Sequence, residues 1–190
     1  MKPTPTAIMT ISSVATALPA HADVLQANSF VAGLSHPVGG MDHIVAMIAV
    51  GVWGVLAGGR ALWVWPLAFV STMLVGFMAA SLGLSVPWTT AAIVSSIVVL
   101  ALMVALAVRA PVWVGAAVVG LFAFFHGHAH GTEATATSLP AYAAGFALAT
   151  AGLHAAGIAL GLATQGSMGR ATVRVMSVLA LFSVLTWVGS

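Results

Sequence analysis

The chain contains no cysteine and very little charge. Without thiols it can form neither a disulfide nor a thiolate metal site, and thiol catalysis is excluded. Only 4% of its 190 residues are Asp, Glu, Lys or Arg, whereas an ordinary soluble domain carries about 25%. A chain so poor in charge cannot clothe a water-facing surface, which rules out a soluble enzyme, a nucleic-acid binder and a disordered segment. No charge falls between Arg60 and Arg109, and none between Glu133 and Arg170. At about 20 apolar residues per crossing, these intervals hold two membrane spans and one. The sequence pI near 10.0 points to no nucleic acid, because the formal net charge is only +2 and the arginines have a topological role.

What the chain has in excess is hydrocarbon: 61% of its residues are hydrophobic. It reads as an all-α protein, a polytopic helical bundle with the lipid bilayer as its solvent. The first 22 residues have the form of an export signal. Lys2 is the charge of a short n-region, Ala7 to Leu18 is a modest apolar stretch, and Ala20-His21-Ala22 supplies a cleavage site. Residues 1–22 are thus expected to be a cleavable signal peptide, and residues 23–190 a domain of six transmembrane helices. Apolar runs set against their breakers place these helices at about Val38 to Gly58, Ala61 to Leu84, Trp88 to Val108, Val112 to Gly127, Leu139 to Thr164 and Ala171 to Val188.

Six alternating helices put Arg60, Arg109, Arg170 and Arg174 on one side, with no Lys or Arg in the opposite loops. By the positive-inside rule that side is cytoplasmic and both mature termini lie outside, as an export signal also requires. Trp63, Trp65, Trp88, Trp113 and Trp187 fall near span ends, the positions of an interfacial aromatic belt. Gly54-xxx-Gly58 and Gly157-xxx-Gly161 have the spacing that brings helices into close contact in lipid.

Ionisable groups at membrane depth are costly, and so mark function by default. One cluster, His36-Pro-Val-Gly-Gly-Met-Asp42-His43, starts the first helix. A second, His126-Gly-His128-Ala-His130-Gly-Thr-Glu133, ends the fourth, and His154 stands alone in the fifth. Both clusters fall on the outer side, while His154 lies roughly 21 Å down its helix at 1.5 Å per residue. His126, His130 and Glu133 share a face if the helix continues, whereas His128 points the other way, toward loop or solvent. Neutral imidazoles with one or two carboxylates suit nickel, cobalt, zinc, copper or iron rather than calcium or magnesium. Eight candidate ligands spread over depth suggest hand-over along a staircase rather than one closed cage. His36, Asp42, His43, His126, His128, His130, Glu133 and His154 are the expected metal-contacting residues.

These motifs resemble those of the HupE/UreJ family of membrane proteins. The resemblance rests on the two clusters, on Met47 and Val50-Gly51 after the first, and on Gly145-Phe-Ala-Leu-Ala-Thr-Ala-Gly-Leu-His154-Ala-Ala-Gly157, all in family order. It implies a small helical nickel permease of hydrogenase and urease gene sets, with cobalt as a second ion, often behind a cleavable signal. Position by position, His36, Asp42 and His43 match the family's first motif, and His126, His130 and Glu133 its second. One departure is that Ala-Thr-Ala-Thr-Ser separates Glu133 from Leu139-Pro140, where the family pattern brings a proline sooner.

The expected function is therefore uptake of Ni2+, or Co2+, across the bacterial cytoplasmic membrane by secondary or facilitated transport. No permanent cofactor is expected, and no nucleotide-binding motif is present. A homo-oligomer and accessory metal-delivery proteins are compatible partners. Two other classes remain open: an intramembrane zinc-dependent hydrolase and a metal sensor that does not transport. Against the hydrolase, the chain has no His-Glu-x-x-His and no Gly-x-Ser-x-Gly.

Overall fold

The computed structural model describes residues 29–134 and 138–188, which form seven α-helices, one 3-10 turn and no strand. In chain order they are α1 (Ser29–Ser35), the 3-10 turn (His36–Gly39), α2 (Met41–Ala57), α3 (Ala61–Ser81), α4 (Thr89–Ala105), α5 (Val112–Glu133), α6 (Leu139–Ala163) and α7 (Ser167–Val188). The expected signal peptide, residues 1–22, lies outside the described residues, as does the loop at 135–137 where the chain departs from the family pattern.

The long helices α3, α5 and α6 are apolar over most of their surface, and this sorts their residues differently from a soluble helix. On α3 the buried stripe is Ala61, Trp65, Phe69, Met73 and Phe77, one residue per turn. The opposite face carries Leu67, Val75 and Met78, all more than half exposed. Water would not tolerate so broad an apolar surface, but lipid requires it. Three helices, α3, α5 and α6, are long and apolar enough to cross a bilayer, and α1 with its turn joined to α2 forms a fourth such unit bent by 82°. The chain is a helical membrane protein. At 17 residues, α4 is a shorter apolar helix.

The first expected helix needs correction at its start. In place of one rod from Val38, the chain makes a short helix, α1, that packs on α6, then turns through His36–Gly39 into α2. Pro37 and the Gly39-Gly40 pair account for the break, since proline removes a donor and Gly40 adopts an extended conformation at the start of α2. The fourth expected helix ends late. α5 runs through Gly127 and Gly131 to Glu133, because those glycines are close-packing points rather than breaks. A Cβ on Gly127 would lie 1.8 Å from the Met73 carbonyl oxygen, and one on Gly131 2.7 Å from that of Phe77.

Close approach of backbones recurs between three helix pairs. Gly76 and Gly127 bring α3 against α5, Gly51 and Gly157 bring α2 against α6, and Gly33 and Gly145 bring α1 against α6. The expectation for Gly157 and Gly161 therefore holds, the latter facing Val55. That for Gly58 does not: with φ of 75° and no neighbour within 4 Å, it caps the end of α2 in a conformation that favours glycine.

Trp63, Trp88 and Trp113 are exposed, as a belt requires, but Trp65 is fully buried. Its ring packs at 4.2 Å from that of Trp53, and the two indoles donate to the carbonyls of Val112 and Val108. These bonds staple α2 to the link between α4 and α5 and α3 to the start of α5, because a buried indole N–H must find an acceptor. The side chain of Trp187 lies outside the described residues. Val55, Leu56, Arg109, Gln165 and Arg170 meet at one end of the bundle, away from the histidines.

Candidate metal centre

α2 opens with Gly40-Met41-Asp42-His43. Asp42 sits in the first helical turn, where its negative charge meets the positive end of the helix dipole. Its Oδ1 lies 2.8 Å from Nδ1 of His43. A carboxylate can only accept, so Nδ1 donates, and the lone pair of His43 is left on Nε2, which is buried with no hydrogen-bond partner. This is how a neighbouring carboxylate orients an imidazole for a metal. Gly40 belongs to the arrangement, since a Cβ there would stand 2.5 Å from the carboxylate and 2.8 Å from Nδ1.

His126 is prepared in the opposite sense. The Ser96 hydroxyl donates its one hydrogen to the Ile93 carbonyl, so it can only accept from Nε2 of His126, 2.9 Å away. The lone pair of His126 is then on Nδ1, again buried and without a partner. Ser96, on α4, is a site residue that sequence reasoning missed, because a serine within an apolar helix carries no signal of its own.

His130 stands between the two clusters. Its ring centroid is 4.6 Å from that of His36 and 4.4 Å from that of His43, which in turn is 5.0 Å from His126. Both ring nitrogens of His130 are buried with no partner. On the exposed side, Oε2 of Glu133 is 3.4 Å from Nε2 of His36. One ligand atom from each of His36, His130 and Glu133 can be chosen so that all lie within 4.8 Å of one another. Small side-chain movements would bring that set to the approximately 2.0–2.2 Å typical of nitrogen and oxygen ligands. Residues from the 3-10 turn, α2 and α5 thus form an unbroken run: Glu133, His36, His130, His43, His126.

His154 lies beyond this run. The ring of Phe69 separates it from His126, with centroids 4.9 Å from His154 and 5.8 Å from His126. Both nitrogens of His154 are buried, with the Thr150 backbone one turn earlier on α6 as a hydrogen-bonding neighbour. Phe69 is fully buried, and nothing in an apolar helix marks one phenylalanine as a partition between two histidines. One turn along α3, Met73 accepts a hydrogen bond from Thr150 of α6 at 3.6 Å. Tyr142 and Phe146 close the other wall, the first 5.9 Å from His36 and the second 4.1 Å from His130.

His128 does not join the set. It points away from His126 and His130, as its spacing requires, but toward protein rather than solvent: it is 4% exposed. Its Nε2 donates to the Leu84 carbonyl at 2.8 Å. That bond satisfies a carbonyl just past the end of α3, where helical partners run out, and ties α5 to α3. The described contacts therefore bring together His36, Asp42, His43, His126, His130 and Glu133, set His154 behind Phe69, and give His128 a bracing position.

The fold and this centre define a class: a polytopic helical membrane protein with a line of closely spaced imidazoles running inward from one end. The chain belongs to the HupE/UreJ family, whose description, HupE / UreJ protein, matches residues 6–186. It is 44% identical to Protein HupE of Rhizobium leguminosarum bv. viciae over 171 residues, covering 88% of this chain and 90% of that one. No solved structure matches.

Proposed function

We propose that this protein carries Ni2+, with Co2+ as a second substrate, into a bacterial cell by secondary or facilitated transport. One observation carries the reading: imidazoles 4.4–5.0 Å apart lead from an exposed carboxylate to a fully buried histidine. An ion held by Glu133, His36 and His130 could exchange one ligand at a time for His43 and then His126. Each step replaces a lost bond with a new one, so no position need bind tightly enough to trap the ion. The family resemblance supports nickel as the cargo. Imidazole-rich sites also accept cobalt and zinc, and selectivity rests on geometry and availability more than on affinity order.

In this reading the bundle lies in the cytoplasmic membrane. The helices Met41–Ala57 and Thr89–Ala105, at 17 residues each, reach about 26 Å at 1.5 Å per residue, against a hydrocarbon core of about 30 Å. With Ser167–Val188 as the last span, they complete six. The arginine end faces the cytoplasm by the positive-inside rule, and the histidine end faces outward. The chain is a transporter rather than an enzyme: the line of histidines leads past Phe69 to a second buried position, which a hydrolase would not need.

The test is Ni2+ entry into proteoliposomes holding the purified protein, beside a His43→Ala variant, with Co2+ and Zn2+ as competitors. Saturable entry that disappears in the variant is expected. Stoichiometric binding without entry would overturn transport in favour of a sensor, and turnover of a lipid or peptide with retained zinc would favour the hydrolase.

A further inference from the structure

A second feature lies apart from the histidines. A crevice of about 290 Å³ opens between α2, α4, α6 and α7, walled chiefly by Ile48, Val52, Val104, Leu160, Val173 and Met176. Three hydroxyls also line it, yet none faces the space with its proton. Thr164 donates to Leu160, Thr172 to Met168 and Ser177 to Arg174, each to a carbonyl of its own helix or helix end. The walls therefore behave as hydrocarbon. Along α2 the crevice runs from Ile44 to Val52, about 12 Å at 1.5 Å per residue. That compares with roughly 15 Å for half the hydrocarbon core of a bilayer.

The same helices continue from the apolar crevice into a polar recess. About one turn past Val52 come Val55 and Leu56, and within one and a half turns past Leu160 come Gly161 and Gln165. Arg109 and Arg170 complete the recess. Both arginines are exposed. Arg170 donates one N–H to the Gln165 carbonyl, both residues lining the recess, which leaves other donors of its planar fork for a second acceptor. No carboxylate lines either the crevice or the recess. An apolar slot that spans most of one leaflet's depth, ending at two arginines at one end of the bundle, has the charge and shape of one particular occupant.

We propose that this is a binding site for one anionic phospholipid, with an acyl chain in the crevice and its phosphate on Arg109 and Arg170. Planar guanidinium groups suit phosphate oxygens, and basic recesses between membrane helices bind anionic headgroups by this chemistry. The lipid would fill the gap between α7 and the helices that carry the histidines. The Arg174 contact to the Ala105 carbonyl then pins only one side of that gap.

The experiment is native mass spectrometry of the purified full chain, titrated with phosphatidylglycerol or phosphatidylcholine of identical acyl chains, with inorganic phosphate as competitor. One phosphatidylglycerol per chain is expected, preferred about tenfold over phosphatidylcholine. The preference should vanish in the Arg109→Gln/Arg170→Gln double variant, whose changes are at exposed positions. Thr172→Phe, which fills the crevice, should reduce retention of both lipids. Equal retention of the two lipids, or a preference that survives the double variant, would overturn the proposal. So would displacement by phosphate alone, or a lipid-free dimer that Thr172→Phe disrupts, which would make a second copy the occupant.

Discussion

Asp42→Asn isolates what the carboxylate does for His43. The substitution keeps size and shape, so the 2.8 Å contact to Nδ1 can persist through the amide oxygen. What changes is the charge. A hydrogen bond to a charged group contributes about 1.5–3 kcal/mol net, and a neutral one about 0.5–1.5 kcal/mol. The difference, about 1–1.5 kcal/mol, is close to tenfold in affinity, since about 1.4 kcal/mol is a factor of ten. It enters metal binding because a bound cation polarises the ring and strengthens the Nδ1–H bond to a carboxylate more than to an amide. Loss of a metal-orienting partner ordinarily costs 10–100-fold in affinity, so the estimate falls at the low end of that range. The assay is Ni2+ titration of the purified protein in detergent against a chromophoric chelator. Gly40→Ala is the steric counterpart: it retains the charge but drives a methyl against both Asp42 and His43, and should weaken binding to a similar or greater degree. If Asp42→Asn leaves Ni2+ affinity within twofold of the parent, the carboxylate does not orient a metal ligand and the reasoning fails. A loss beyond a thousandfold, with one oxygen ligand fewer by X-ray absorption, would instead make Asp42 a direct ligand.

Three further outcomes follow from the same geometry. His128→Ala should cost about 1–3 kcal/mol of stability by orphaning the Leu84 carbonyl, while Ni2+ affinity stays near the parent value; a thermal melt paired with the chelator titration checks this, and a large loss of affinity would return His128 to the site. Phe69→Leu should change the rate of Ni2+ entry into proteoliposomes with little change in equilibrium binding, because it alters the partition between His126 and His154 and leaves the outer ligands untouched; an unchanged rate would remove Phe69 from the path. Gly127→Val should lower the melting temperature sharply, since a Cβ meets the Met73 carbonyl oxygen at 1.8 Å and overpacking costs about 1–3 kcal/mol or more; a normal melt would mean α3 and α5 can separate freely.

The class of protein, its helical content and the histidines and acids that the helices bring together were legible in the chain alone. The reason is that lipid imposes one severe condition: a span must be apolar, and any histidine or acid within it stands out against that background. The spacing of His126, His130 and Glu133 on one helix face was readable for a related reason, since helical periodicity survives whatever packs against it.

Only the tertiary structure decided which of those residues meet. His128 has the same composition and neighbourhood as His130, yet a carbonyl at the end of α3 claims one and the line of imidazoles holds the other. The tautomers of His43 and His126 depend on Asp42 and Ser96; the first partner is adjacent in sequence and the second is thirty residues away, on another helix. Gly127, where the fourth helix is expected to end, and Gly131 beyond it are contact points within α5, because propensity is a weak local preference and close packing of backbones in lipid overrides it. Phe69 is one apolar residue among many until α5 and α6 bring a histidine to each side of it. Sequence spacing governs what one helix presents, and the crossing of helices governs what it is presented to.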